Sequence, residues 1–313
     1  MHSEDVLVQG TKPTRKLARR QHIVSSWYLD NFCDSGGRLY VYERGKDIRG
    51  SVPRNECVER DFYEFDLAGR KTSNDYEDWL SRIEGEAKAI FPSIVGNQRI
   101  NPNEAAVWSY FVASLFYRTR KVRSQISSLM VSKLRAETKT EEFLREVQYA
   151  AFKKGELYPL NNLRERVEAF QIKFEQSPFY HVTGLPRHTH VLAETIVRKN
   201  WHVVSAPAGK YFPTSDCPVV TVERKERSWE LGAGFARDNV IIFLPLTPER
   251  LFIAASANFE FKATVPQVAA DAFRLATVRF GHRNVYSDQK SGELKNLVDL
   301  EINQIEFGKN AFT

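Results

Sequence analysis

The spacing of hydrophobic positions changes several times along the 313-residue chain. Residues 38–43 alternate in polarity, which predicts a strand. Between residues 73 and 197 apolar positions recur every three or four residues, which predicts a block of helices. From Trp201 the period returns to two, and helices follow at 266–279 and 294–305. Separate runs of strands and helices predict the α+β class, with a small N-terminal β element, a central helical block and a C-terminal, mostly antiparallel sheet with flanking helices.

Individual elements follow from the same periodicities and from Pro, Gly, Ser and Thr at their ends. Helices are predicted at 73–95, 102–136, 140–154, 161–176 and from Pro186 onwards. Strands are predicted at 62–65, 201–204, 219–222, 240–243 and 251–254.

The order of these segments predicts one α+β domain at residues 21–313. It carries a sub-boundary near 178–186, between the helical block and the C-terminal sheet. Residues 1–20 are polar and lack a hydrophobic period, so we expect a flexible arm. The arm is basic, with Lys12, Arg15, Lys16, Arg19 and Arg20.

Charge and composition narrow the classes of partner. The formal net charge is +6 and the isoelectric point about 9.1, which suits a polyanion such as nucleic acid. No apolar run approaches the roughly 18–20 residues that span a bilayer, and the first ten residues do not resemble a signal peptide. We therefore expect a cytoplasmic protein with no membrane partner. The sequence has three cysteines that lie far apart along the chain, which favours reduced thiols over disulfides.

Familiar catalytic signatures are absent from the sequence. It contains no Walker A loop, no GxGxxG, no HExxH and no GxSxG. The usual marks of nucleotide-binding proteins, zinc peptidases and serine hydrolases are thus missing, and an enzyme must be sought in less regular constellations.

Two charged residues occupy positions on predicted apolar helix faces. Glu84 lies four residues after Leu80, and Arg118 lies three after Leu115. A buried carboxylate or guanidinium is costly without a partner. We therefore expect each to be paired, and the two suit each other. The pair would be either a tie between two helices or part of a functional pocket.

Other candidate residues lie at the ends of predicted elements, where sites are usually built. Glu59 and Asp61 precede the strand predicted at 62–65, and Asp216 precedes another strand. Such carboxylates serve as metal ligands or general bases, or they cap turns. His22, at the start of the ordered chain, is either a proton-transfer group or a structural histidine.

Short motifs follow one another along the chain in a distinctive order. They are QHIVSSWYLDNF at 21–32, GRLYVY at 37–42, ERDFY at 59–63, IE at 83–84, W at 201 with FPTSDCPV at 212–219, and LPLTP at 244–248. Together they resemble the motifs of the domain-of-unknown-function family 4238 over about residues 21–290. Ser25 stands where the family usually has Pro or a following Gln, and Cys217 where Asn is usual. The resemblance implies a bacterial-type, cytoplasmic protein and no particular activity.

Two functions of different class fit these observations. The first is a nucleic-acid-directed hydrolase, a nuclease-like defence or toxin effector such as those of phage defence. His22, Glu59, Asp61, Glu84 and Asp216 would be catalytic, with a divalent metal of unspecified identity as cofactor, while Arg118 and Arg120 would bind phosphate. The second is a non-catalytic module that binds nucleic acid or a protein, although no particular protein partner is indicated. An enzyme predicts that His22, a carboxylate pair and Arg118 share one cleft, whereas a binding module predicts scattered, locally satisfied charges.

Overall fold

The computed structural model describes residues 20–64, 66–67, 70–71, 75–138, 140–155, 159–177, 179–225, 229–232 and 234–302. Within them, the helices are α1 Ser26–Asp30, α2 Asp75–Val95, α3 Pro102–Tyr117, α4 Arg120–Thr138, α5 Glu141–Phe152, α6 Leu160–Gln176, α7 Phe179–Val197, α8 Gln267–Phe280 and α9 Gly292–Glu301. The strands are β1 Arg20–His22, β2 Leu39–Glu43, β3 Arg49–Ser51, β4 Val58–Arg60, β5 Asp66–Leu67, β6 Arg70–Lys71, β7 Asn200–Ser205, β8 Thr214–Ser215, β9 Val220–Arg224, β10 Trp229–Leu231, β11 Val240–Thr247, β12 Arg250–Ala255 and β13 Asn284–Ser287.

The predicted α+β class is confirmed. A helical block, α2 to α7, separates short N-terminal strands from a five-stranded antiparallel sheet of order β10-β9-β11-β12-β7. The central strand β11 pairs with β9 and β12 and is buried over seven of its eight residues. It can be nearly all apolar because it is covered on both faces.

A four-stranded sheet joins the two ends of the described chain. Its order is β3-β2-β13-β8, with Val285 of β13 opposite Tyr42 of β2. The sequence analysis predicted β2 but not β3, β8 or β13. The edge strand β10 was also not predicted. The strands that were missed have two to four residues, too few to show a period.

The main hydrophobic core lies between the large sheet and helices α1, α2, α3, α7 and α8. Trp108 of α3 is fully buried there and packs edge-on against Phe252 of β12, with ring centroids 5.8 Å apart. Helix α3 begins with a capping box in which Asn101 and Glu104 each accept the other's backbone N–H. Its first residue is Pro102, as the sequence predicts.

A second, smaller core supports the region of the candidate site. Ile23, Phe62, Tyr63 and Leu80 pack there with residues of α7. The strand predicted at 62–65 is wrong for the described part, because residues 61–64 form a turn in which Glu64 N–H donates to Asp61 O. The strand lies just before it, at β4. Asp61 has φ +57°, a left-handed conformation that interrupts a strand.

The single helix predicted at 102–136 is also wrong. The chain breaks between α3 and α4, where Arg118 has φ −84° and ψ 3°. Neither Gly nor Pro marks the break. Thr119 replaces continued helical bonding at this point, since its side chain lies within reach of the backbone N–H of Val122. The break separates α4 from α3 and places Arg118 at the junction of the two helices.

Helix α7 starts earlier than predicted and contains Pro186 in its interior. An interior proline removes one backbone hydrogen bond and crowds the preceding turn, so it weakens a helix. Burial of Val182, Leu185, Leu192 and Ile196 on both sides of the proline holds the helix together. The sub-boundary near 178–186 stays a prediction, and α7 runs through most of that interval.

The predicted basic arm lies outside the described residues, except for Arg20, which begins β1. Among the residues that the structure describes, no helix is both long enough and apolar enough to cross a membrane.

Candidate functional site

Arg118 is a deeply buried charged side chain, with 1% of its surface exposed. A buried guanidinium needs partners that satisfy its charge and its donors. Its Nη1 donates to Glu84 in an ion pair, and its Nη2 donates to Ser25 Oγ at 2.7 Å. The predicted pairing of Glu84 with Arg118 is therefore confirmed, and it ties α2 to the α3–α4 junction.

A second carboxylate, Glu77, faces the same region from α2. It lies seven residues before Glu84, two helical turns along the same face. Glu77 Oε1 is buried and lacks a hydrogen-bond partner. Burial raises the pKa of Glu77 to about 7, Arg118 opposes the rise and Glu84 adds to it. This carboxyl group thus exchanges its proton near neutral pH.

His22 approaches from β1. Its Nε2 is buried and makes no hydrogen bond. Burial lowers the pKa of His22 below its ordinary value, Glu84 partly offsets this effect, and Arg118 strengthens it. The imidazole is therefore neutral at pH 7, and both charged groups lie within electrostatic range of it. A neutral imidazole can accept a proton.

We call this group of five side chains the Arg118 centre: Ser25, His22, Glu77, Glu84 and Arg118. The turn at 61–64 forms one of its walls. Tyr63 is buried there, and burial raises its pKa. The charge of Arg118 opposes this rise, and that of Glu77 adds to it. Gln21 holds the turn in place, because its Oε1 accepts the backbone N–H of Tyr63 at 2.7 Å.

On the far side of that turn lies a polar cleft of about 690 Å³. One of its walls is a face of α4. Its members recur at spacings of three and four residues, as a helix face does, but they are mostly arginines and serines. They are Arg120, Arg123, Ser124, Ser127, Ser128, Val131, Ser132 and Arg135, and the remaining lining comes from Glu59, Phe62, Ser177 and His282. We call this cavity the Arg–Ser cleft.

Two arginines of the cleft are held by the β4 segment. Arg120 forms an ion pair with Glu59. Arg123 Nη1 donates to Phe62 O at 2.8 Å, and its guanidinium lies 4.4 Å from the centroid of the Phe62 ring. Both contacts fix the guanidinium groups without using all of their donors. Glu59 is the only acidic residue among the described residues that line the cleft.

Asp216 lies apart from the Arg118 centre. Its two carboxylate oxygens accept the backbone N–H groups of His282, Arg283 and Asn284 at 2.8–3.2 Å. It fixes the segment that leads into β13. Burial raises its pKa, and these three hydrogen bonds oppose the rise. Asp216 borders a smaller cavity of about 240 Å³, and Arg120 borders both this cavity and the Arg–Ser cleft.

The carboxylate of Asp61 makes no hydrogen bond or ion pair with the side chains of the Arg118 centre among the described contacts. Asp61 sits in the turn after β4, where its carboxylate lies 3.4 Å from Arg60 Nε and its Oδ1 is buried without a hydrogen bond.

The structure brings three of the predicted residues together, His22, Glu84 and Arg118. It places Glu59 with Arg120 in the neighbouring cleft, and the described hydrogen bonds and ion pairs join neither Asp61 nor Asp216 to the Arg118 centre. The carboxylate pair of the Arg118 centre is Glu77 with Glu84, and the sequence analysis missed Glu77. The seven-residue spacing between Glu77 and Glu84 was the signal that could have placed Glu77 on the same helix face. The serines of α4 were also missed, although they repeat at helical spacing.

The comparison with known families agrees with the motif order. Residues 20–291 match the family described as "Protein of unknown function (DUF4238)". The chain belongs to this family. No curated protein and no solved structure matches the chain. The matched range of this DUF4238 protein contains the whole Arg118 centre and the whole Arg–Ser cleft.

A divalent cation would need a cluster of side chains that can serve as metal ligands. Across the described ranges of this DUF4238 chain, no three His, Cys, Asp or Glu residues cluster so that they could hold a metal ion. Glu59, Glu84 and Asp216 are each bonded to other protein groups, as above. These residues do not fit a protein-held divalent cation.

Proposed function

We propose that the protein binds the phosphate backbone of nucleic acid in the Arg–Ser cleft. The observation that carries this proposal is the composition of the α4 face. Where an amphipathic helix has apolar residues, this face presents three arginines and four serines to a cleft of about 690 Å³. Guanidinium groups and hydroxyls are the side chains that most often contact phosphate oxygens.

The length of the cleft favours a polymer over a single phosphate. Arg120 and Arg135 stand at opposite ends of the lining face, and a rise of 1.5 Å per residue separates their backbones by about 22 Å. That distance accommodates several consecutive phosphates of one strand. The net charge of +6 adds long-range attraction for the same class of ligand.

A second candidate function is phosphodiester hydrolysis, which the unpartnered buried atoms of the Arg118 centre favour. None of the five residues of that centre lines the Arg–Ser cleft, so a strand bound in the cleft must reach past the 61–64 turn to contact them. His22 Nε2 is a neutral acceptor that can take a proton from water. Glu77, whose pKa is about 7, can be protonated and donate to a leaving oxygen. Arg118 is too deeply buried to touch a substrate, so it acts by positioning Glu84 and by its charge.

Binding is tested with short, fluorescently labelled single- and double-stranded DNA and RNA, by anisotropy over a range of salt concentrations. We expect the logarithm of the affinity to fall linearly with the logarithm of salt, by about 0.7–0.9 per phosphate neutralised. Two variants with the same change in charge locate the site: Ser128→Glu lies in the cleft, whereas Leu129→Glu lies outside it on the same helix, at a side chain that is 64% exposed.

Ser128→Glu is expected to weaken binding at least tenfold and Leu129→Glu much less. Equal weakening by both would mean that overall charge, and not the cleft, attracts the ligand. Failure to bind any of the four nucleic acids at low salt would refute the proposal.

Hydrolysis is tested on the same nucleic acids with Mg²⁺, Mn²⁺ or EDTA, using His22→Gln and Glu77→Gln. Both variants keep the size of the side chain and lose its titration. If the second function is correct, they abolish cleavage and leave the anisotropy titration unchanged. Binding without cleavage in the unaltered protein would leave a nucleic-acid-binding module.

A further inference from the structure

A third cavity differs from the Arg–Ser cleft because its lining is mainly apolar. It has a volume of about 420 Å³ and opens between the large sheet and the start of α8. Val222 of β9 and Ile241 of β11 line it, together with Phe273 of α8. Each of these three side chains is at most 7% exposed. Small-molecule sites typically occupy about 300–1,000 Å³ and combine apolar walls with few polar groups.

The aromatic residues of this cavity give it a shaped wall. Phe261 lies in the lining, with its ring 5.1 Å from that of His202 and stacked on Phe259 at 6.4 Å. Trp229 of β10 closes another side and packs on Phe259 at 6.1 Å. Such a wall favours an aromatic or aliphatic body of a ligand over a polar one.

The start of α8 forms one end of the cavity. The first turn of α8 contributes Pro266, Val268 and Ala269 to the lining. No side chain caps this helix, and its first turn contains no acidic residue. Its leading N–H groups and the positive end of its dipole therefore have no anionic partner from a capping residue. Lys262 is exposed in the same lining, and within the described residues it forms no ion pair.

We propose that this cavity binds a small carboxylic acid with an apolar body. The body would fill the space between Val222 and Phe273, and the carboxylate would lie at the start of α8 near Lys262. Glu260, also exposed in the lining, opposes an anion and limits the affinity. This site is independent of the nucleic-acid function proposed above.

The test compares three probes that share one ten-carbon chain: decanoate, decanol and decylamine. Each is titrated into the full chain below its micelle concentration, by calorimetry and by tryptophan fluorescence. We expect saturable binding of decanoate, about tenfold tighter than that of decanol and decylamine. Trp229→Phe should remove most of the fluorescence change and keep the calorimetric signal.

Variants then locate the carboxylate. Val268 is 66% exposed, so Val268→Asp does not endanger the core, and an acidic residue in the first turn suits the helix. We expect it to abolish the preference for decanoate and to favour decylamine. Lys262→Ala should weaken decanoate binding about tenfold, and Glu260→Gln should tighten it. The matched control, Val191→Asp on α7, changes a side chain of similar exposure, 56%, outside the cavity.

Three results would overturn the proposal. The first is the absence of saturable binding by all three probes. The second is equal affinity for decanoate and decanol, which would mean that no carboxylate site exists. The third is decanoate binding that Val268→Asp and Val191→Asp leave equally unchanged, which would place the probe elsewhere on the protein.

Discussion

Arg118 Nη2 donates to Ser25 Oγ at 2.7 Å, across 93 residues of sequence. Since hydrogen bonds to charged groups contribute about 1.5–3 kcal/mol, we expect Ser25→Ala to lower the free energy of unfolding by about 2 kcal/mol. Arg118→Leu should lower it further, by about 3 kcal/mol or more, because Glu84 then loses its partner. Chemical denaturation of both variants measures these changes.

The hydrogen bond between Ser25 and Arg118 can also be tested by comparing two substitutions of Ser25. Ser25→Thr keeps the hydroxyl and should cost much less than Ser25→Ala. If Ser25→Ala were as stable as the unaltered protein, the buried guanidinium would have another acceptor, and the Arg118 centre would need a different description.

Glu77 makes stability depend on pH in an unusual direction. Its folded pKa of about 7 lies above the ordinary carboxyl value, so the folded state holds this proton more tightly than the unfolded state does. Its contribution to stability is therefore present at low pH and is lost as the pH rises from about 4.5 to 7. We expect Glu77→Gln to remove this loss, so that the variant gains stability relative to the unaltered protein between pH 5 and pH 8.

Urea denaturation at the two pH values measures the difference for Glu77→Gln. Glu86→Gln, on the exposed surface of the same helix, is the control and should show no such gain. A parallel pH dependence in Glu77→Gln and the unaltered protein would contradict the assignment.

His181 has the opposite effect on pH dependence. It is 1% exposed, both of its ring nitrogens lack hydrogen-bond partners, and burial lowers its pKa to about 3. The unfolded chain takes up this proton first as the pH falls below 6.5, so stability is lost on acidification. From pH 8 to pH 5 the loss amounts to about 2 kcal/mol.

His181→Phe keeps an aromatic ring against Phe62, whose ring centroid lies 6.1 Å away. We expect this variant to lack the loss of about 2 kcal/mol at pH 5. His190→Phe, at a side chain that is 54% exposed, serves as the comparison. An unchanged acid sensitivity in His181→Phe would show that the imidazole is protonated in the folded state.

Asp216 distinguishes a structural carboxylate from a catalytic one. Asp216→Asn replaces an acceptor by an amide donor that faces backbone N–H groups, so we expect a loss of about 1–3 kcal/mol in unfolding free energy. Any loss of nucleic-acid affinity should follow from unfolding and vanish at low temperature. The control is Asp271→Asn, which removes an ion pair with Lys210 at a half-exposed site and should cost less than about 1 kcal/mol. Full stability of Asp216→Asn with lost activity would favour catalysis.

The sequence predicted the features that follow from hydrophobic periodicity and from the free-energy cost of burying a charge. Glu84 and Arg118 each interrupt an apolar stripe, and that anomaly was enough to pair them. Glu77 was missed because an acidic residue near the start of a helix is also the normal complement of the helix dipole. The two explanations differ only in burial, which one sequence does not reveal.

The rest of the candidate site depends on tertiary geometry. The break at Arg118 and Thr119 has no Gly or Pro to mark it, so the Arg–Ser face of α4 could not be oriented from the stripe of α3. Strand β13 has four residues, and it is a strand because β2 lies beside it. Asp216 lies close in sequence to a strand, as predicted, yet its partners are residues 282–284, which no local pattern connects to it.

The pairing of β2 with β13 also limits when the protein can fold during synthesis. Tyr42 of β2 donates its hydroxyl hydrogen bond to Gln289 O, 247 residues later. Strand β2, already paired with β3, must therefore wait with its other edge open while the helical block and the large sheet emerge. Contacts of such separation slow folding and expose unpaired strands in the meantime. A nascent chain halted before β13 should consequently depend on chaperones, although most of its residues are already in place.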